Sequence, residues 1–351
     1  MAVTRPPAGS APEEAHDPFA DNPFAVAVCH DVLLQVAGRA PDDLLATARA
    51  WVADGRLLDV ARAVTFAALT YRVPLPEESL LGLADLLSAG GVDPLVLRQA
   101  EVVVSDLAPP FLFGSDRHDR SADDDVNEDP RDAAAVSAAT DAAARGLWRS
   151  WRRPADGSPW PEERRVYVVE VSDPDARAAT AATVARALAA AGETVPLVEC
   201  YATGQDLPAY TRLARAAGSL LWAASPEREI LVADVFDRID DDGQPSFDTD
   251  HPVVDDPDER QRLAAYLDAG AVLLTTTSLA VDVLDPDQRP VVPMTFRTDG
   301  TWVWTDALTY YLREHGIRPQ QDLMAHLGEV AGGEPRVDGV DVHRAMAVIS
   351  S

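Results

Sequence analysis

Between Phe24 and Leu107 the apolar residues return every three or four positions, whereas from Arg164 onward they gather into short continuous runs. The first period buries one stripe of a helix, and the second fills a strand inside a sheet. One regular architecture cannot satisfy both. The chain is therefore expected to be α+β overall, with an N-terminal all-α helical-hairpin domain ahead of a C-terminal mixed α/β domain. Pro41-Asp-Asp opens a helix carrying Leu44, Leu45, Ala48, Trp51 and Val52, and Gly55 stops it. Leu57, Leu58, Ala61, Val64, Ala68 and Leu69 form the next stripe. Pro76-Glu-Glu opens a third with Leu80, Leu81, Ala84 and Leu87, and Pro94 starts a fourth. Leu44-Leu-x-x-Ala and Leu80-Leu-x-x-Ala align at an offset of 36, which fits a repeated hairpin or a bundle with chance self-similarity.

The expected organisation is a disordered tail over 1–22 and an all-helical domain over 23–108. An acidic linker with one helix follows over 109–163, then the mixed α/β domain over 164–330 and a C-terminal tail over 331–351. Asp116, Asp119, Asp123, Asp124, Asp125, Glu128 and Asp129 mark the linker. Trp148 and Trp151 at i, i+3, among Arg149, Arg152 and Arg153, read as one face of its helix; nucleic-acid or peptide binding is the alternative. Strands are expected at 166–171, 195–201, 219–223 and 230–239, with helices over 176–191, 207–217 and 257–267. The domain is expected to end in an antiparallel meander over 271–283, 290–298 and 301–304, then a helix to His315 closed by Gly316. Asp299-Gly300 is its tight-turn signal.

All 30 basic residues are Arg. A chain without Lys holds no Walker A loop, no pyridoxal Schiff base and no kinase strand Lys. The 58 acidic residues leave a net charge of −28, which argues against a nucleic-acid backbone or an anionic membrane as partner. No apolar run has the length of a membrane helix and the N-terminus has no signal-peptide core, so a cytoplasmic protein is expected. Cys29 and Cys200 both lie in apolar runs and read as buried small side chains. No nucleophile elbow, dinucleotide fingerprint or zinc spacing is present, and no cofactor is expected.

Two constellations remain. Asp234–Asp268 holds twelve acids and three Arg. Within it Asp240, Asp242 and Gly243 approach a calcium loop, but Arg238 stands at the first ligand position and Thr249 at the closing one. Asp248, Asp250 and His251 are the candidate metal ligands, and with Asp237 they form the site of an alternative reading, a metal-dependent hydrolase or transferase. An exposed acidic loop is the competing interpretation. The second constellation is Pro293-Met-Thr-Phe-Arg-Thr-Asp-Gly-Thr-Trp-Val-Trp-Thr-Asp-Ala-Leu-Thr-Tyr-Tyr-Leu-Arg-Glu-His-Gly316. This string resembles a segment of an uncharacterised family of high-GC Gram-positive bacterial proteins, a resemblance that implies no activity. Phe296, Arg297, Asp299, Trp302, Trp304 and Tyr311 are the candidate binding residues, because Trp, Tyr and Arg dominate binding hot spots. An aromatic folding core is the competing interpretation. The expected function is a non-enzymatic protein-interaction module, an adaptor or immunity-like protein, whose partner is another protein and by charge a basic one.

Overall fold

In the computed structural model, which describes residues 17, 19, 22–103, 107–117 and 129–350, Asn22 opens the first helix. Its side chain accepts the amides of Phe24 and Ala25, and Pro23 follows where no amide is needed. The helices α1 (Pro23–Val36), α2 (Asp42–Ala53), α3 (Leu57–Thr70) and α4 (Glu77–Ala89) follow at short intervals. They share one core containing Cys29, Leu33, Leu45, Val52, Val60, Val64, Leu83 and Leu87. The 36-residue alignment does not extend to burial. α2 buries Leu45 whereas α4 exposes the aligned Leu81, so the two helices turn different faces inward and the similarity is accidental. The expected tail over 1–22 lies outside the described residues except for 17, 19 and 22.

The chain divides into two compact units, Met1–Ala224 and Ser225–Ser351, rather than at the expected limits of 108, 163 and 330. The reason lies in the expected linker. Residues 118–128, with five of the seven acids that marked the linker, lie outside the described set. The remainder supplies β1 (Phe111–Gly114), α5 (Pro130–Asp141) and β2 (Gly146–Pro154). The Trp148–Arg153 cluster is thus a strand and not a helix face. β2 pairs along its length with β3 (Arg164–Val171), and this pairing overrides the i, i+3 spacing of its Trp residues. α6 (Arg177–Ala190), β4 (Val198–Ala202), α7 (Ala209–Ala217) and β5 (Ser219–Ala223) complete the layer. β4 runs parallel to β3, while β1 and β5 pair with opposite ends of β2. α5 and α6 cover Leu147, Tyr167, Val169 and Cys200 on one sheet face. α1 and α2 pack on α6, which joins the helical layer to the sheet layer in one unit.

The second unit begins with β6 (Leu231–Val232) and the short hairpin β7 (Arg238–Ile239) and β8 (Pro245–Ser246). α8 (Pro257–Asp268), β9 (Ala271–Leu274), β10 (Leu279–Ala280) and β11 (Val292–Pro293) follow. β12 (Phe296–Thr298), β13 (Trp302–Thr305), α9 (Asp306–His315), α10 (Gln321–Val330) and α11 (Gly339–Ser350) finish it. Its main sheet has the order β6-β13-β12-β9. The last three strands are the expected antiparallel meander, and β6 adds to it in parallel. Gly316 closes α9 with φ +69°. The expected tail after 330 is instead α11: Ala345, Val348 and Ile349 pack on Val303, Phe296 and Leu273, so its apolar side has a sheet to cover.

Candidate functional site

The aromatic string folds inward. Trp302 and Trp304 alternate with Val303 along β13 and face α8, α9 and α10, in a core with Leu263, Leu308, Leu312, Leu323 and Leu327. They are 4% and 1% exposed, and Tyr311 is 1% exposed. Tyr311 packs with Val292 and Ala307 and donates no surface. Phe296 is half-buried against α11.

The polar members of the string hold the unit together. Arg297 donates from Nε to Asp306 at 2.6 Å, and from Nη1 to the carbonyl oxygens of Asp268 and Gly270 at 2.8 and 3.1 Å. It thereby ties β12 to the end of α8 and the start of α9. Asp299 accepts the amides of Thr301 and Trp302 on one oxygen, and Tyr266 Oη and His326 Nε2 on the other. The six expected binding residues therefore do not form a recognition surface. The correction has a simple cause: a strand carrying Trp302 and Trp304 beside three helices removes more apolar area from water by turning in than by facing out.

The expected metal ligands are not assembled either. The β7–β8 hairpin turns through Asp240, whose Oδ1 accepts the amides of Asp242 and Gln244, and Gly243 takes φ +77°. Asp237 accepts the Asp248 amide at 2.7 Å. His251 sets Nδ1 at 2.8 Å from Asp237 Oδ2 and Nε2 at 2.9 Å from the Arg318 carbonyl oxygen. Asp248 pairs with Arg238, and Asp250 is exposed. Both imidazole nitrogens and the Asp248 charge are thus engaged by the protein. Among the described residues no group of three His, Cys, Asp or Glu side chains is placed to hold a metal ion.

These contacts do something else: they hold the acidic segment in a defined shape. Phe236, Phe247, Tyr311 and His251 interlock with centroids 5.0–5.5 Å apart, anchoring the hairpin to α9. Beyond that anchor Asp234, Asp240, Asp241, Asp242, Asp250, Asp255, Asp256 and Asp258 all remain exposed. Ile239 is 70% exposed among them, and Val253 is also exposed. This is a fixed acidic surface bearing two aliphatic side chains. Its charge is legible in the sequence but its anchor is not, since the rings come from three separate places in the chain.

Two carboxyls here carry a pH signature. Partial burial raises Asp237, but the Asp248 amide, His251 and Arg238 outweigh it and hold the carboxyl below its ordinary range. Asp282 behaves alike: burial raises it, and the Leu284 amide, His315 and Tyr310 lower it further than that. A carboxyl depressed in the folded state contributes stability above its unfolded pKa and loses it as pH falls through the folded one. Asp341 opposes this, because burial and Asp338 push it up. Comparing Asp282→Asn with the parent isolates one group. The variant is expected to melt lower at pH 7, yet to lose less of its Tm between pH 7 and pH 3. Parallel Tm curves would refute the assignment.

In the first unit both thiols are buried, and burial raises Cys29 and Cys200 to about 12, so neither is a ready nucleophile. His30 is equally enclosed. Burial takes it down to about 4, with Nε2 at 2.7 Å from the Cys200 carbonyl oxygen. Past the carboxyl ends of β3 and β4, where α/β layers commonly receive ligands, Arg177 donates to Asp31 of α1 and to Gln205, and Gln205 donates to Asp31. Asp31 of α1 thus takes up the polar groups at that crest, beside a cavity of about 320 Å³ between α1 and the start of α6. No helix among the described residues is long and apolar enough to cross a membrane. No family model, curated protein or solved structure matches the chain.

Proposed function

We propose that the chain is a protein-interaction module that presents the acidic segment 234–258 to a basic protein partner, as an adaptor or immunity-like protein would. The observation that carries this reading is the combination of eight exposed aspartates with Ile239 and Val253 on segment 234–258, whose β7–β8 hairpin is anchored by Phe236, Phe247 and His251. Fixed like charges accelerate encounter with an oppositely charged partner and reject acidic ones, while exposed aliphatic side chains supply the short-range contact. A cytoplasmic location belongs to the same proposal.

The test replaces Asp241, Asp250 and Asp255 together by Asn. These side chains are exposed, so the fold and Tm are expected to stay within those of the parent. A tagged parent chain is expected to retain one stoichiometric basic protein at low salt and to release it at high salt. The triple variant is expected to bind that same protein at least about tenfold more weakly. A purified partner that binds both forms equally, or whose binding ignores salt, would sink the reading.

A further inference from the structure

A cavity of about 740 Å³ opens in the first unit beside the loop joining α1 to α2, within the size range of small-molecule sites. Arg39, Asp42, Tyr71, Arg152, Trp160 and Arg164 supply its chemistry. Arg152 is 2% exposed. It donates from Nη1 to Tyr210 Oη at 2.7 Å, bonds Asp42 through Nη2, and lies 4.4 Å over the Phe111 ring. The Asp42 charge is therefore taken up by Arg152.

Among the described residues, two guanidinium groups on the same cavity have no comparable acidic partner. Arg164 reaches Asp42 only at 3.8 Å, beyond hydrogen-bond distance, and its side chain is 35% exposed. Arg39 donates from Nη2 to the carbonyl oxygens of Leu107 and Ala108, which engages that nitrogen without cancelling the charge. Flat apolar surface accompanies them: Trp160 is 78% exposed and Tyr71 is 50% exposed. The loop itself is preorganised. Gly38 takes φ +73°, and a Cβ there would overlap the Tyr210 ring. Asp43 and Glu162, both exposed, also line the cavity and disfavour ligands with many negative charges.

We propose that this cavity binds a small planar acid: one ring system carrying a single carboxylate or monophosphate. Arg164 grips the acid group with its planar fork, Arg39 adds charge, and Trp160 and Tyr71 stack on the ring. This site is independent of the acidic surface on the second unit.

Calorimetric titration of the full chain with adenosine 5′-monophosphate, indole-3-acetate and inorganic phosphate tests it. At least one ring-bearing acid is expected to bind saturably and more tightly than inorganic phosphate. Binding by the nucleotide alone assigns the phosphate form of the ligand, and binding by indole-3-acetate alone the carboxylate form. Arg164→Gln and Trp160→Ala are each expected to weaken that binding at least about tenfold, the cost of one charge-assisted bond or one stacking contact. Trp160 is exposed, so Trp160→Ala keeps the parent Tm and decides the matter even where Arg164→Gln misfolds. No saturable binding by either ring-bearing acid at millimolar concentration would overturn the proposal. So would inorganic phosphate binding as tightly as the ring-bearing acids, or unchanged affinity in folded variants.

Discussion

Trp304→Ala is expected to cost the second unit about 3–5 kcal/mol, enough to unfold much of it. The ring is 1% exposed and sits among Leu263, Leu267, Leu308 and Leu312, where removal leaves a void bounded by three helices. The fit is close on the sheet side as well: a Cβ at Gly270 would lie 2.5 Å from Trp304 Cζ2. Trp304→Phe should cost much less, because it keeps most of the volume and the indole N–H has no acceptor among the described residues. Denaturant unfolding followed by circular dichroism measures both. If Trp304→Ala stays within about 1 kcal/mol of the parent, the ring is not part of the core and the surface reading of the Trp302–Trp304 ladder returns. The result also bears on any binding experiment that uses Trp302→Ala and Trp304→Ala: lost binding there would report lost fold.

The second large effect lies in the first unit. Arg49 of α2 donates to both carboxylate oxygens of Glu199 on β4 at 2.6 Å, with the side chains 7% and 1% exposed. Burial pushes the Glu199 carboxyl up, and Arg49 pulls it back toward the ionised form. Arg49 Nη1 has no acceptor among the described residues, so the pair is incompletely satisfied. Removing one member leaves a charge without its partner in a dry interior. Glu199→Ala or Arg49→Ala is therefore expected to cost about 3–5 kcal/mol. Replacing both, as Arg49→Met with Glu199→Leu, is expected to recover most of that loss, since a buried ion pair barely repays its own desolvation. A double-mutant cycle in urea checks the point. Additive losses would show that the two side chains do not interact, contrary to the geometry.

The helices of the first unit were legible because their signals are local. Prolines, first-turn acids and terminal glycines act within four residues, and apolar stripes repeat within seven. The Asp299-Gly300 turn, the meander around it and the Gly316 helix stop were legible for the same reason. Trp148–Arg153 was not. The same six residues satisfy a helical i, i+3 spacing and a strand alternation, and only the partner strand 164–171 chooses between them. The candidate site divides in the same way. The acidity of 234–268 is a property of composition, but its shape depends on Tyr311 meeting Phe236 and Phe247 from sixty or more residues away.

By itself, then, the amino-acid order determined the α+β class, most helix starts and stops, the closing hairpin and helix, the buried state of both cysteines and the exclusion of Lys-dependent chemistry. Tertiary structure alone decided which way the aromatic string faces, that the linker supplies a central strand, and that His251 bonds Asp237 and Arg318 rather than standing open to a cation. Backbone geometry answers to neighbours within a turn, whereas the direction of a side chain answers to whatever the rest of the chain places against it.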